Sequence, residues 1–409
     1  FAVKEKYVRS VIKIKMVSPR SFCDASLIRL KNSLCPFISR SSSSINLRRR
    51  AFATKTSNQY HANVSSRPFR SMLYVPAINT RALEKLETLS GSMKPDAVVF
   101  DLEDGVGPDR KKEARENLVQ FLQEKESDTT DASSSSDDYF GIVRINGVDT
   151  PWFEEDAAMA MEISMMEATN VKGVVLPKID SSEDVNAISQ HFLNLSNDTS
   201  NSLASSPPAR CNDEHNQSQV TSPVPFWAMM ETPHGILSSS EIAAHPSIQG
   251  LILGTNDLGK ELRLRPSVAS SVSNNSIIRE GLYTSIQTTV LAARAHGKLV
   301  IDGVYNNFRD EEGFQRECIQ GKEWGMDGKT LIHPSQVSAT NQILAPSAEE
   351  VEYARRVVAC WEEESAAVEK SGNFTGVAVL DGMMIEQLHV DSARRLLEQA
   401  ESIEWMKKS

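Results

Sequence analysis

Two carboxylates stand just past apolar runs: Glu231 after Phe226-Trp227-Ala228-Met229-Met230, and Asp257 after Leu251-Ile252-Leu253-Gly254-Thr255-Asn256. A strand spacing apart, such a pair can hold a hard divalent cation and leave positions for water and substrate oxygens, as Mg2+ usually requires. Helix-starting sequence follows each acid (Thr232-Pro233-His234-Gly235 and Leu258-Gly259), which turns both side chains toward one rim. A helix N-cap is the structural alternative for Asp257. Arg144, in Val143-Arg144-Ile145-Asn146, can take a substrate carboxylate in two-pronged fashion, pair with Asp101 or Glu103, or do both. Lys178, in Leu176-Pro177-Lys178, has the chemistry for a Schiff base, though metal-binding carboxylates make an imine unnecessary. Arg81 and Lys85, four apart at the start of a helix, suit the phosphates of a bulky cofactor or form a solvated face. Tyr74-Val75-Pro76, Asp101-Leu102-Glu103-Asp104, Asp302 and His333 also fall at strand ends.

The elements that must position these residues alternate. Short β-branched runs at 71–75, 97–101, 141–145, 173–177, 226–230, 250–254, 298–302 and 329–332 are separated by amphipathic stretches at 81–89, 110–124, 152–167, 182–193, 277–296 and 311–324. Strands alternating with helices give parallel βαβ units. Eight of them in this length predict an α/β fold, a (β/α)8 TIM barrel with a C-terminal helical extension. A doubly wound open sheet is the other arrangement of such units, but no GxGxxG follows an early strand. Ser/Asp/Asn-rich stretches near 127–138 and 196–222 read as disordered insertions. The barrel is expected over 70–345. The extension, over 346–409, contains a helix at 347–369, a loop at 372–382 and a last helix at 384–398.

Charge divides the chain unevenly. Residues 1–70 carry fifteen Lys/Arg against two acids, Glu5 and Asp24, leaving 29 basic and 52 acidic residues in the remainder, a net charge of −23. That acidic body argues against nucleic acid as a partner. Residues 1–69, Arg- and Ser-rich and poor in acids, are expected to be an organellar transit peptide, with the mitochondrial matrix favoured over a plastid. No apolar run is long enough to span a bilayer, so no membrane partner is expected. The five cysteines show no CxxC or metal-type spacing, which suits a reducing compartment.

With these residues in view, the chain resembles the citrate lyase β-subunit-like branch of the HpcH/HpaI aldolase family from Arg70 to about Glu401. The resemblance rests on Arg70-Ser71-Met72-Leu73-Tyr74-Val75-Pro76, Phe100-Asp101-Leu102-Glu103-Asp104-Gly105-Val106, Val143-Arg144-Ile145-Asn146, Leu176-Pro177-Lys178, Met230-Glu231-Thr232 and Gly254-Thr255-Asn256-Asp257-Leu258. It continues through Asp302-Gly303-Val304-Tyr305-Asn306-Asn307-Phe308-Arg309-Asp310 and Gly325 to Pro334. The resemblance implies a (β/α)8 barrel in a homotrimer, Mg2+ on Glu231 and Asp257, and Arg144 on the substrate carboxylate. It also implies a CoA thioester lying near Tyr74, Val75, Arg81 and Lys85, with Ile332 and His333 along its path. A carboxylate of the C-terminal tail, often from the adjacent subunit, completes such sites as acid/base. Here that position is Glu386, where a lyase of this branch has Asp and some bacterial relatives share the Glu; the extra methylene moves the carboxyl by roughly an ångström.

The implied reaction is Mg2+-dependent cleavage of a 3-hydroxyacyl-CoA, citramalyl-CoA or malyl-CoA, to acetyl-CoA and a 2-oxoacid, pyruvate or glyoxylate. The alternatives are a malyl-CoA thioesterase or a malate-synthase-like condensation on the same site. An aldolase acting on free 2-oxoacids would need a His base early in the barrel, and the early strand ends have none. A non-catalytic assembly protein should have lost Glu231 or Asp257.

Overall fold

The structure is a computed structural model and describes residues 67–128, 140–166, 170–203, 220–265, 279–371 and 376–408. All belong to the second of two units, Phe52–Ser409; the leader up to residue 66 and most of both Ser-rich insertions lie outside the described residues, while Phe69, at the leader's expected end, packs into the barrel core. Eight parallel strands close into a barrel in chain order: β1 Ser71–Pro76, β2 Ala97–Asp101, β3 Phe140–Arg144, β4 Val171–Leu176, β5 Phe226–Met230, β6 Ile248–Leu253, β7 Leu299–Asp302 and β8 Gly328–Leu331. The expected (β/α)8 architecture is therefore present, with strand bounds shifted by up to two residues.

Period-two alternation sorts every strand. Met72, Ala97, Val99, Ile142, Val175, Trp227, Met229, Ile252 and Ile301 face inward and form one core, while Leu73, Val98, Phe100, Val143, Val174, Leu251 and Val300 face the helices and form another. Trp227 is the largest inward residue, and the neighbouring strand makes room for it. A Cβ on Gly250 would meet the indole at 2.6 Å, so only glycine fits opposite that ring.

The helices on the outside are α1 Thr80–Leu86, α2 Lys111–Asp128, α3 Phe153–Met165, α4 Ser182–Leu203, α5 Pro233–Leu237, α6 Ser239–Ala244, α7 Thr255–Glu261, α8 Tyr283–Ala295, α9 Glu311–Glu323 and α10 Ser335–Leu344. Their starts carry local caps. Asn79 accepts from the Ala82 N–H (3.1 Å), Thr232 from Gly235 (2.9 Å) and Asp310 from Gly313 (2.9 Å). α4 runs on to Leu203, so the first part of the expected insertion at 196–222 is helical rather than disordered.

The extension departs further from expectation. It comprises α11 Ala348–Ser371, a hairpin of β9 Ala378–Leu380 and β10 Met383–Ile385, and α12 Gln387–Lys408. The stretch expected as loop thus holds a strand, and the last helix starts three residues later than expected and runs ten further. Asp381 and Gly382 both have positive φ (51° and 79°), the turn that matches the twist of a two-residue hairpin. Ala354, Val357, Trp361, Ala378, Ile385, Val390 and Ala393 form the extension's own core. Lys322 of α9 reaches Glu350 of α11 at 3.2 Å. Among the described residues, no helix is long and apolar enough to cross a membrane.

Candidate active site

The inward parity that packs the barrel also delivers its chemistry. Continuing the inward series to the carboxyl ends of the strands brings Tyr74, Asp101, Arg144, Met229 and Glu231 to one mouth, where they line a cavity of about 310 Å3. Asp257, Asn256 and Thr255 join them from the first turn of α7, Val304 and Asn306 from the loop after β7, and Thr330 and Ile332 from the end of β8. Glu231 and Asp257 thus share a cavity, as their sequence positions imply. Asp257 is the third residue of α7 rather than a residue ahead of it, and Gly254 occupies the cap position. The N-cap alternative is thereby removed, leaving the carboxylate to the cavity.

Glu231 is buried, and its surroundings fix it closely. Oε1 accepts the Lys178 N–H at 2.7 Å. Lys178 reaches that position with φ of +50°, a left-handed conformation rare for a residue with a side chain and found where a site demands it. Gly254 lies against the other side, where an added methyl would meet Oε2 at 2.6 Å and Cβ at 2.4 Å. Burial, the charge of Glu103 and that of Asp257 push the Glu231 carboxyl up to about 7, against the pull of the Lys178 N–H.

Arg144 is held mainly by Asp101. Nε and Nη2 donate to the two Asp101 oxygens, both at 2.7 Å, and Nη1 lies 3.0 Å from Glu103. Its guanidinium also sits 4.7 Å over the Tyr74 ring. Asp101 takes two further bonds, from the N–H groups of Glu103 (2.8 Å) and Gly105 (2.9 Å). Asp101 is therefore saturated as an acceptor and orients Arg144. The edge needed for a two-pronged grip on substrate is occupied, so Arg144 offers the cavity single N–H donors. Lys178 Nζ pairs with Glu103 at 3.3 Å, a salt bridge that suits neither the deprotonated amine nor the exposed nucleophile of an imine mechanism.

Behind this mouth Lys111 donates to the carbonyls of Leu102 (2.8 Å) and Glu103 (2.7 Å) and to Asn146 (2.7 Å). Asp101, Glu103, Asp104, Glu231 and Asp257 face Arg144, Lys178 and Lys111, five negative groups against three positive. A divalent cation would balance that excess. Two carboxylates, one with an oxygen turned toward a glycine-lined space, form the oxygen donor set Mg2+ accepts. Among the described residues no group of three or more His, Cys, Asp or Glu is placed to share a metal, so water and substrate would fill the other positions.

Other expected residues are elsewhere. Val75 points outward into the helix-facing core, as alternation from Tyr74 requires, and does not line the cavity. Arg81 and Lys85 are exposed on α1 and do not line the cavity. His333 stacks on Phe308 (centroids 4.6 Å apart, 15° between planes) beside Ile332. Asp302, expected at the rim, points out of the barrel: Ile301 faces in, so Asp302 meets Arg279 (2.9 Å) and Lys329 (2.9 Å) under α9. Glu386 is exposed ahead of α12, and no described residue of the extension lines this cavity. A larger cavity of about 1070 Å3 opens elsewhere, beside Arg70, Asp96, Lys322 and Met406, and holds none of the expected site residues. Asn256, Asn306, Val304, Thr330 and Met229 line the mouth without having been assigned a role from sequence; the first three belong to the motifs around Asp257 and Asp302, Thr330 to the 325–334 stretch and Met229 to the apolar run before Glu231.

A family model described as HpcH/HpaI aldolase/citrate lyase matches residues 70–334. The chain belongs to this family. Within it, the chain is 39% identical over 338 residues to a (3S)-malyl-CoA thioesterase of Cereibacter sphaeroides, covering 82% of this chain and 96% of the relative. An L-malyl-CoA/beta-methylmalyl-CoA lyase of the same organism is 28% identical over 347 residues, covering 83% and 96%. The fold is shared with protein CitE from Mycobacterium tuberculosis, solved with magnesium, acetoacetate and coenzyme A. The TM-score is 0.56 at 24% identity, covering 82% of this chain and 100% of that one.

Proposed function

We propose that this chain is a Mg2+-dependent enzyme of CoA thioesters that splits a 3-hydroxyacyl-CoA, malyl-CoA or citramalyl-CoA, into acetyl-CoA and glyoxylate or pyruvate. The observation that carries the reading is the pairing of Glu231 and Asp257 on one cavity with Arg144 and Tyr74. Glu231 and Asp257 would hold the ion, with the Lys178 N–H keeping one Glu231 oxygen turned away. Bound there, Mg2+ would supply Lewis-acid polarisation of the hydroxy-acid oxygens and lower the alcohol's pKa. Arg144 would orient the substrate carboxylate by single N–H donors. The CoA arm would leave past Ile332 and His333 toward Arg81 and Lys85, which are exposed and form no ion pair among the described residues.

Among the described residues, no proton donor for the acetyl carbon comes from the extension of the same chain. Glu386 sits among exposed Val379, Met383, Met384 and Leu388, an apolar surround suited to a second copy of the chain. Glu386 would then act as acid/base in the neighbour's cavity, within a homotrimer. The basic leader supports delivery to the mitochondrial matrix.

Thioester hydrolysis is the second reading, favoured by the 39% identity to a malyl-CoA thioesterase. Purified protein supplied with Mg2+ and malyl-CoA separates the two: cleavage yields glyoxylate and no free thiol, hydrolysis yields thiol and malate. Glu231→Gln and Asp257→Asn should each abolish whichever reaction is found. Full turnover by either variant would remove the metal assignment.

A further inference from the structure

Beside Asp257, the cavity wall carries two carboxamides that the proposed chemistry does not yet use. Asn256, in the first turn of α7, and Asn306, in the loop after β7, hydrogen-bond reciprocally. Asn306 Nδ2 donates to Asn256 Oδ1 at 2.7 Å, and Asn256 Nδ2 donates to Asn306 Oδ1 at 3.2 Å. A reciprocal amide pair spends one N–H on each side and leaves the second N–H of each side chain directed away from the pair. Both residues are exposed to the cavity mouth. We propose that this amide pair is the donor site for the thioester carbonyl oxygen of the substrate.

The frame behind the pair is rigid, as a preorganised donor site requires. Lys329 Nζ donates to the Gly303 carbonyl at 2.7 Å, and the Gly303 N–H donates to Asp302 at 2.9 Å. Gln336, buried in α10, donates to the Tyr305 carbonyl at 3.1 Å. Its Oε1 accepts the N–H groups of Ile332 (3.1 Å) and His333 (3.2 Å). The Tyr305 hydroxyl donates to Asp310 at 2.6 Å. Asn306 therefore stands on a loop tied down before and after it, and Asn256 stands next to Asp257. Thr330, also on this wall, has its hydroxyl committed to the Asp302 carbonyl at 2.9 Å.

The role follows from the direction of the substrate. If the hydroxy-acid end lies between Glu231/Asp257 and Arg144, the acyl chain must run toward Ile332, past Asn256 and Asn306. This inference rests on the CoA-thioester reading but not on the choice between its two reactions. In cleavage, the substrate hydroxyl gives its proton to a carboxylate base and its oxygen becomes the oxoacid carbonyl as the carbon–carbon bond breaks; the released electron pair passes through the acetyl carbon onto the thioester oxygen until that carbon takes a proton. In hydrolysis, water adds to the thioester carbon and the oxygen takes the negative charge before the carbon–sulfur bond breaks. Either way the charge develops on the oxygen facing the amides.

The test uses full-length enzyme with Mg2+, comparing wild type with Asn306→Leu and Asn256→Leu, which keep side-chain size and remove the donors. Expected is a fall in kcat on malyl-CoA of roughly 10- to 1000-fold, in the range of losing one oxyanion donor. Mg2+-dependent binding of pyruvate or glyoxylate, measured by calorimetry, should stay at the wild-type value, because the oxoacid contacts neither amide. Wild-type turnover by Asn306→Leu would overturn the inference alone. Loss of oxoacid binding in step with kcat would overturn it in favour of a structural role. Wild-type enzyme inert toward every hydroxyacyl-CoA thioester would overturn the reading and the inference together.

Discussion

Gly254→Ala tests the metal site without touching a proposed ligand. The backbone at Gly254 (φ −94°, ψ 71°) is open to alanine, so any effect must come from the methyl group itself. That methyl would lie 2.4 Å from Glu231 Cβ and 2.6 Å from Oε2. Carbon atoms settle at about 3.5–4.0 Å, so the Glu231 side chain must retreat by about 1 Å. The Lys178 N–H, 2.7 Å from Oε1, resists retreat on the other side, and the carboxylate is expected to turn as well as shift. A misplacement of that size costs on the order of 10²-fold in rate. The overpacking itself should cost about 1–3 kcal/mol of stability, leaving the barrel folded. Calorimetric titration of metal-free protein with Mg2+ should show a weakened or absent binding isotherm, and steady-state turnover of malyl-CoA should fall in parallel. Wild-type Mg2+ affinity in Gly254→Ala, with a native circular dichroism spectrum, would refute the placement of the ion beside Glu231 Oε2.

Mg2+ binding should depend on pH through the same carboxyl. Glu231 titrates near 7 in the metal-free protein and must be ionised to hold the ion. Apparent affinity should therefore be flat above about pH 7 and fall about tenfold per unit below it, checked by titration between pH 5.5 and 8.5. Arg144→Lys replaces a planar fork, bonded twice to Asp101 and once to Glu103, by a point charge, and leaves part of a buried carboxylate unpaired. A loss of about 1–3 kcal/mol in stability and a raised KM for the hydroxyacyl-CoA are expected from denaturation and kinetics. Glu386→Ala and Asp257→Asn should each be inactive alone, whereas co-refolded mixtures should regain activity, since one copy supplies Glu386 to another's intact cavity. Full turnover by Glu386→Ala alone would place Glu386 outside the reaction, and mixtures as inactive as their components would overturn its action in a neighbouring copy's cavity.

The barrel was legible because its physics is periodic. Eight apolar runs bounded by helix-length stretches admit few parallel topologies, and parity within each run fixes which side chains meet inside. The hairpin in the extension was missed although Asp381-Gly382 is a strong turn signal, because three-residue strands such as Ala378–Leu380 carry too little alternation to stand out. The overrun of α4 to Leu203 was missed for the opposite reason: its Ser/Asn/Asp content resembles a solvated loop, while helix propagation from a packed start needs little from each added residue.

Parity also separates what sequence could say about the site from what it could not. Counting inward from Tyr74, the alternation already excludes the Val75 side chain, and counting from Ile301 it sends Asp302 outward to Lys329 and Arg279. What no count reveals is how the inward groups divide their bonds. Arg144 looks free to grip a substrate until the loop after β2 folds back and leaves Asp101 holding two N–H bonds and both prongs of the guanidinium. Lys178 looks like a nucleophile until its backbone takes a left-handed turn toward Glu231 and its ammonium turns to Glu103. In both cases a charged residue that a motif presents as chemistry is committed to orienting another charge. What remains uncommitted on the cavity wall is what can do the reacting: the ionisable pair Glu231 and Asp257, and the spare amide protons of Asn256 and Asn306.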